Sequence, residues 1–394
     1  MSKWPEVALG DIFDIARGGS PRPIDDYITD ADDGVNWISI SDASDSEKFI
    51  TKTKKKIIKE GVARSRPVKP GDFLLTNSMS FGRPYIMATD GCIHDGWLVL
   101  SKKNDSINQD YFFHLLGSES TYRKFKSLAA GAVVKNLNID LVKSVTIPLP
   151  PLEEQKRIAA ILDKADSLRR KRAQAIALAD DFLRATFLDM FGDPVTNPKG
   201  WPVKPLGTLI EKIKSGWSAP STDAEYIEGT LGVLKVSAVS SGYFKRAEAK
   251  VVDPSIVDRD LIFPVMGDLL FSRANTRELV AAACLVEEDC ESAFLPDKLW
   301  QITCFHGVAR NEYLKFLLAD LKFKDELTKK ATGTSGSMLN ISQAKFVETN
   351  APIPPYELQS RFADAVWRVY SLRKKWFESD YSIGNLFRGL SSDL

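Results

Sequence analysis

The 394-residue sequence contains one long self-repeat, and this constrains its fold more than any other feature. Trp4-Pro5-Glu6-Val7-Ala8-Leu9-Gly10 returns as Trp201-Pro202-Val203-Lys204-Pro205-Leu206-Gly207. Ile38-Ser39-Ile40-Ser41 returns as Leu234-Lys235-Val236-Ser237, and Gly71-Asp72 with its apolar followers returns at Gly267-Asp268. Tyr111 to Leu116 matches Tyr313 to Leu318, and Leu137-Asn138-Ile139 aligns with Leu339-Asn340-Ile341. Pro148-Leu149-Pro150-Pro151 matches Pro352-Ile353-Pro354-Pro355, each followed by a Gln, at 155 and 359. The matches keep their order at a separation near 200 residues. Solenoid repeats are only about 20–50 residues long, so this pattern reads as a duplicated domain.

Each copy begins with short β-rich runs punctuated by Gly, Pro, Asn and Asp: Val35 to Ile40, Asp72 to Thr76 and Gly96 to Leu100, with counterparts near Val233, Asp268 and Leu299. One helix is expected over Gln109 to Leu128 and its counterpart over Asn311 to Lys330. The fold class is therefore α+β. A Pro-Pro stop then precedes a Pro- and Gly-free stretch from Leu152 to Phe191. There Ile158, Leu162, Ala165, Arg169, Arg172, Ile176, Ala179, Leu183 and Met190 fall near one face at helical spacing. Glu153 and Glu154 suit the helix N-terminal dipole, and Gly192-Asp193-Pro194 ends the segment. The second copy carries Leu358, Phe362, Val366, Val369, Arg373, Trp376, Ile383 and Phe387 in a similar stripe, with Gly384 and Gly389 placed to fray its end. Two such stripes predict an antiparallel coiled coil with a pseudo-twofold internal repeat, two similar globular domains being separated by the helices. The alternative is that each helix packs on its own module.

Lys plus Arg number 53 against 52 Asp plus Glu, so any basic surface must be local. Cys92, Cys284, Cys290 and Cys304 form no C-x-x-C pair and read as buried or free thiols. That suits a reducing cytoplasm, and the N-terminus has no basic-then-apolar signal pattern. No apolar run approaches the roughly 18 residues that span a bilayer.

Ile147-Pro148-Leu149-Pro150-Pro151-Leu152-Glu153-Glu154-Gln155 leading into a long helix, then the pattern again, resembles the specificity subunit of type I restriction-modification enzymes. Phe191-Gly192-Asp193-Pro194 running to Gly200-Trp201-Pro202 supports the resemblance, which covers essentially the whole chain. It implies target recognition domains over 1–150 and 193–353, each reading half of an asymmetric bipartite DNA site. It also implies conserved spacer helices over 151–192 and 354–394 that fix the gap and dock two methyltransferase subunits. Restriction subunits would join in the full complex. S-adenosylmethionine and ATP with magnesium are expected on those partners, with no cofactor in this chain. Partner or coiled-coil positions are Ile158, Leu162, Ile176, Leu183, Phe362, Val366, Val369 and Trp376.

Candidate DNA contacts begin with the glycine loop bearing Arg17, Ser20 and Arg22, and its counterpart Lys214, Ser215 and Trp217. The basic run from Lys52 to Lys69 includes Lys54, Lys55 and Lys56; it reads as a phosphate track or a solvated face. Beyond the Gly-Asp motifs stand Asn77, Ser78 and Arg83, and then Arg273, Asn275 and Arg277. Arg and Asn are the side chains that read guanine and adenine bidentately. Lys135, Asn136 and Ser335 lie on further glycine loops, and Arg169-Arg170-Lys171-Arg172 sits mid-helix. Near-neutral charge implies weak DNA binding by the isolated chain, with partners completing a clamp.

Catalytic motifs are poorly supported. Pro354-Pro355-Tyr356 has the shape of an amino-methyltransferase motif, but Ile353 stands where Asn or Asp belongs. There is no phosphate loop. Asp297 with Asp320-Leu321-Lys322 loosely fits a metal-dependent nuclease pattern, but Asp320 falls in a predicted helix. His94, His114 and His306 are isolated. The sequence thus predicts a non-catalytic DNA-recognition subunit. A coiled-coil adaptor and, lower, a nuclease are the alternatives.

Overall fold

Strands Phe73–Thr76 and Trp97–Lys102 carry unbroken apolar runs because both faces of their sheet are covered. Neighbouring residues in a strand point to opposite faces. Phe73, Leu75, Leu98 and Leu100 join a core with Phe13, Tyr111 and Phe112, while Leu74, Trp97 and Val99 join another with Ile38, Tyr85 and Met87. The computed structural model describes residues 4–392 apart from 45, 78–81, 131–136, 223 and 334–337, with no side chain beyond Trp376. Ser78, Lys135, Asn136 and Ser335, and the side chains of Ile383 and Phe387, lie outside that description. The chain divides into two units, residues 1–172 with 378–394, and residues 173–377.

In the first unit one five-stranded sheet runs in the order Phe13–Arg17, Trp97–Lys102, Phe73–Thr76, Pro84–Met87, Phe49–Ile50. A second runs Ile28–Thr29, Lys55–Ile57, Val35–Ile38, Gly91–Ile93, Arg66–Val68. Glu6–Ala8 pairs antiparallel with Thr146–Pro148, closing the unit beside the first long helix. In the second unit a four-stranded sheet runs Ile210–Ser215, Leu299–Cys304, Leu269–Ser272, Ala283–Leu285. A three-stranded sheet runs Ala249–Val251, Gly232–Leu234, Ala293–Phe294, and Val203–Pro205 pairs antiparallel with Asn350–Pro352. Alternation again divides the apolar residues: Leu269, Phe271, Trp300 and Ile302 face one core, Leu270, Cys284 and Leu299 the other.

The Gly-Asp turns have the same cause in both units. Gly71 and Gly267 adopt φ +96° and +90°, where a side chain is strained. Asp72 then accepts the Lys69 N–H at 2.9 Å, and Asp268 the Val265 N–H at 2.8 Å.

Each expected single helix after the sheet is two. Gln109–Leu116 ends at Gly117, and the Ser118 hydroxyl accepts the Thr121 N–H at the start of Glu119–Ala130. Asn311–Ala319 ends at Asp320, whose carboxylate accepts the Lys322 and Phe323 N–H groups to cap Leu321–Lys329. The Leu137 and Leu339 alignment also shifts. Leu137 donates its N–H to Asn77 and Ile341 donates to Arg273, while Asn138 and Ser342 cap the next helices. The structural counterpart of Leu137 is thus Ile341, because the cap and not the Leu-Asn-Ile string sets the register.

The long helices span Leu152–Phe191 and Tyr356–Ser392, the second continuing through Gly384 and Gly389. Their starts are built alike. Gln155 accepts the Asn108 N–H at 2.9 Å and donates to the carbonyls of Ser106 and Pro150 at 3.0 and 2.9 Å. Gln359 accepts the Arg310 N–H at 2.9 Å and donates to Val308 and Pro354 at 3.2 and 2.8 Å. Tyr111 and Tyr313 donate their hydroxyls to Pro148 and Pro352 at 3.0 and 2.7 Å. Ile158 and Leu162 are buried in the first unit's core. In the second unit Leu183, Phe187 and Phe191 share a core with Phe362, Val366 and Tyr370, and Phe362 meets Phe187 and Phe191 at 5.6 and 5.4 Å. Ile176, Val369 and Trp376 are half-buried. Gly192, at φ +81°, ends the first long helix.

Candidate functional site

Six of the predicted contact residues, Arg17, Ser20, Arg22, Asn77, Ser215 and Arg273, hydrogen-bond to two aspartates, one in each unit. In the first, Asp95 follows Gly91–Ile93 and precedes Trp97–Lys102. Ser20 donates its hydroxyl to one carboxylate oxygen at 3.0 Å, and Arg22 reaches the other at 3.1 Å. Arg17 and Asn77 donate to the Asp95 main-chain carbonyl at 3.0 and 2.8 Å. Partial burial works against ionisation, but the Ser20 hydrogen bond, the backbone, and nearby His94 and Arg22 hold this carboxyl below its ordinary range. Gly18 admits the loop: a Cβ there would lie 1.9 Å from the His94 carbonyl oxygen.

In the second unit Asp297 occupies the same place before Leu299–Cys304. Ser218 donates to its carboxylate, and Ser215 donates to its carbonyl at 3.1 Å. Arg273 reaches the Asp297 carbonyl at 2.7 Å, its carboxylate at 3.2 Å and Asn340 at 2.8 Å. A Cβ on Gly216 would lie 1.8 Å from the Leu295 carbonyl oxygen. Trp217 stacks on Phe294 at 6.1 Å, and the Arg259 guanidinium lies 4.6 Å from its ring centre. Asp95 and Asp297 as loop anchors escaped the sequence reading. Their signal was the alignment of His94-Asp95-Gly96-Trp97 with Pro296-Asp297-Lys298-Leu299.

These contacts separate support from reach. Asn77 and Asn275 are buried, and the Asn275 side-chain oxygen accepts the Thr276 N–H. Arg273 is committed to three bonds. Arg22, Arg83, Arg277 and Lys214 remain exposed, with Arg83 lying over Tyr85 at 5.1 Å. Within the basic run Lys54 and Lys55 are exposed, whereas Lys56 donates to the Ala31 and Asp32 carbonyls at 3.4 and 3.2 Å, and Lys59 pairs with Asp33 at 2.9 Å. Part of that run is thus neutralised by the adjacent acidic turn. Arg170 from the first long helix pairs with Glu47 at 2.7 Å.

The nuclease pattern does not assemble. Asp320 caps a helix, Lys322 pairs with Asp193, and Asp297 anchors a loop. Among the described residues no group of three or more His, Cys, Asp or Glu is placed to hold a metal ion, and no helix is long and apolar enough to cross a membrane. The four cysteines are buried and unpaired by disulfides.

Residues 1–178 match the type I restriction modification DNA specificity domain. The MjaIX type I restriction enzyme specificity subunit of Methanocaldococcus jannaschii is 23% identical over 93% of this chain and 87% of its own length. The EcoKI specificity subunit of Escherichia coli is 22% identical over 82% of this chain and 73% of its own. Among solved structures, the type I restriction-modification S subunit from M. genitalium aligns with a TM-score of 0.61 at 13% identity, covering 100% of this chain and 96% of that one. A chain from a structure of type I R-M complex assembly and conformational transition aligns at 0.52 with 19% identity, covering 97% and 95%.

Proposed function

Residues 1–178 carry a type I restriction modification DNA specificity domain, and from that premise we propose that the whole chain is the sequence-reading subunit of such an enzyme. In this reading the chain is two recognition domains, 1–150 and 193–353, made by duplication. Each reads one half of an asymmetric bipartite site. The helices 151–192 and 354–394 pair as an antiparallel coiled coil, set the spacer and dock two methyltransferase subunits. Duplex DNA repeats about every 34–36 Å, so a rigid helical spacer can select half-site separation. S-adenosylmethionine and ATP bind the partner subunits, and the near-neutral charge makes those subunits a large part of the grip on DNA.

One observation carries the reading. Each unit holds a glycine loop and a strand end on a single aspartate, with a similar frame but different side chains around it. A constant frame with variable loop chemistry is what two readers of different sequences require. The test is the methylated motif in host genomic DNA, read with and without this gene. A split, asymmetric motif should vanish on deletion. A motif that survives deletion, while the partner subunits lack another reading subunit, overturns the reading.

A further inference from the structure

A cavity of about 490 Å³ opens in the second unit between the first long helix, the turn at Ser241–Tyr243 and the end of helix Asn311–Ala319. Its walls include Leu183, Phe187 and Phe316. Lys315 lines it too and is 6% exposed. The ammonium lies 4.0 Å from the Phe316 ring centre and 5.5 Å from that of Tyr243. Among the described residues it has no hydrogen-bond or ion-pair partner. Asp180, the carboxylate bordering the cavity nearby, already accepts the Tyr243 hydroxyl. Arg184 pairs with Asp181 at 3.0 Å, and Arg373 lies 3.0 Å from the Tyr243 ring centre and 3.6 Å from Glu287.

Burying an ammonium without a partner is costly, and the fold does not require one here. Two positions after Tyr111, at the place of Lys315 after Tyr313, the first unit has Phe113. A hydrophobic side chain therefore satisfies this site in the related frame. Apolar and aromatic walls joined by a few charged groups form the pattern of a small-molecule pocket, and of those groups Asp180, Arg184, Asp320 and Lys322 already have partners while the Lys315 ammonium has none among the described residues. We propose that this cavity binds a small aromatic carboxylate, its ring against the Phe187 and Phe316 side chains that line the wall and its anionic group on Lys315. Burial also presses Lys315 down to about 8, as an unpaired ammonium in this setting should be. An arriving carboxylate supplies the missing partner. The proposal goes beyond DNA reading and shares no residue with the proposed recognition loops, so either can fail alone.

The test is calorimetric titration of the full chain with 2-naphthoate and its neutral isostere 2-naphthamide, near pH 7. Naphthoate should bind one site at least about tenfold more tightly than naphthamide, with Kd below about 1 mM. Lys315→Met should remove that preference. Ala319→Trp, at the exposed rim of the cavity, should weaken both probes while leaving the lysine in place. Should Lys315→Met fail to fold, the probe preference of the native chain and the weaker binding of both probes to Ala319→Trp decide the matter. Equal binding of the two probes, no binding of naphthoate at about 1 mM, or naphthoate binding unchanged by Ala319→Trp overturns the proposal.

Discussion

The Gln155 side-chain oxygen accepts the Asn108 backbone N–H at 2.9 Å, which ties the first turn of a 40-residue helix to the loop entering Gln109–Leu116. Gln359 and Arg310 repeat the bond at 2.9 Å. Both glutamines are at most 1% exposed and satisfy one N–H and two carbonyls each. Truncation leaves those groups dry, at a cost of about 2 kcal/mol or more. Gln155→Ala and Gln359→Ala should each lower the denaturant midpoint of the chain, with similar size. A surface change such as Lys156→Ala should not. Equal midpoints for all three would show that these bonds do not hold the helix starts.

The glycine loops are predicted to be intolerant of a single methyl group. Gly216→Ala places Cβ 1.8 Å from a backbone oxygen, so the loop must move and Ser218 must leave Asp297. The assembled enzyme carrying Gly216→Ala should lose discrimination at one half-site by at least about tenfold, or 1.4 kcal/mol, and keep it at the other. Gly18→Ala should do the reverse. Competition binding with single half-site substitutions measures both, and equal loss at the two halves would contradict independent readers.

Exposed arginines should separate affinity from stability. Arg83→Ala and Arg277→Ala remove side chains from open surface, so melting temperature should shift little. Where the arginine reads a base, its removal should cost about 1–3 kcal/mol at one position of the site. Where it holds a phosphate, its removal should instead reduce the salt slope by about one for all sequences. Titrations at several salt concentrations distinguish these outcomes; unchanged binding in both variants removes these residues from the interface.

Lys315 makes stability depend on pH with a definite sign. Its folded value, about 8, is below the ordinary 10.5. Below about 8 the lysine is charged in both states, and the burial penalty is fully present. As pH rises from about 8 to 10.5 the folded lysine releases its proton before the unfolded one, so the native chain gains up to about 3 kcal/mol. Asp180, Arg184, Tyr243, Cys284 and Arg373 surround it and are common to Lys315→Met. The difference between native and Lys315→Met chains therefore isolates this group. Lys315→Met should be the more stable at pH 7, with an advantage that shrinks toward pH 10. A pH-independent difference would refute the assignment.

The spacer reading predicts a change in geometry without a change in sequence preference. Removing about four residues, one helical turn, from 160–185 should alter the permitted spacer while both half-sites stay the same. Unchanged spacing in the methylated motif would reject the helix as ruler.

Features set by local rules were legible in advance. Gly71-Asp72 and Gly267-Asp268 announce turns because only glycine adopts that φ freely and the aspartate caps its own neighbourhood. Pro-Pro followed by Gln, and the apolar stripes of the long helices, are equally local. The split at Ser118 and Asp320 was missed because their capping side chains interrupt an apolar period that continues across the break. The Leu137 alignment failed since similar letters concealed a two-residue shift in the cap.

By itself the sequence determined the mixed α and β character and the two long helices, and it singled out the glycine loops, because periodicity and turn chemistry act within a few residues. Tertiary structure alone decided that Asp95 and Asp297 anchor those loops, that Asn77 and Asn275 are buried, and that Lys315 lines a cavity. Ser20 and Asp95 lie 75 residues apart, and Ser218 and Asp297 lie 79 apart. Strand pairing and core packing bring such groups together, and neither neighbour carries a local mark of the other.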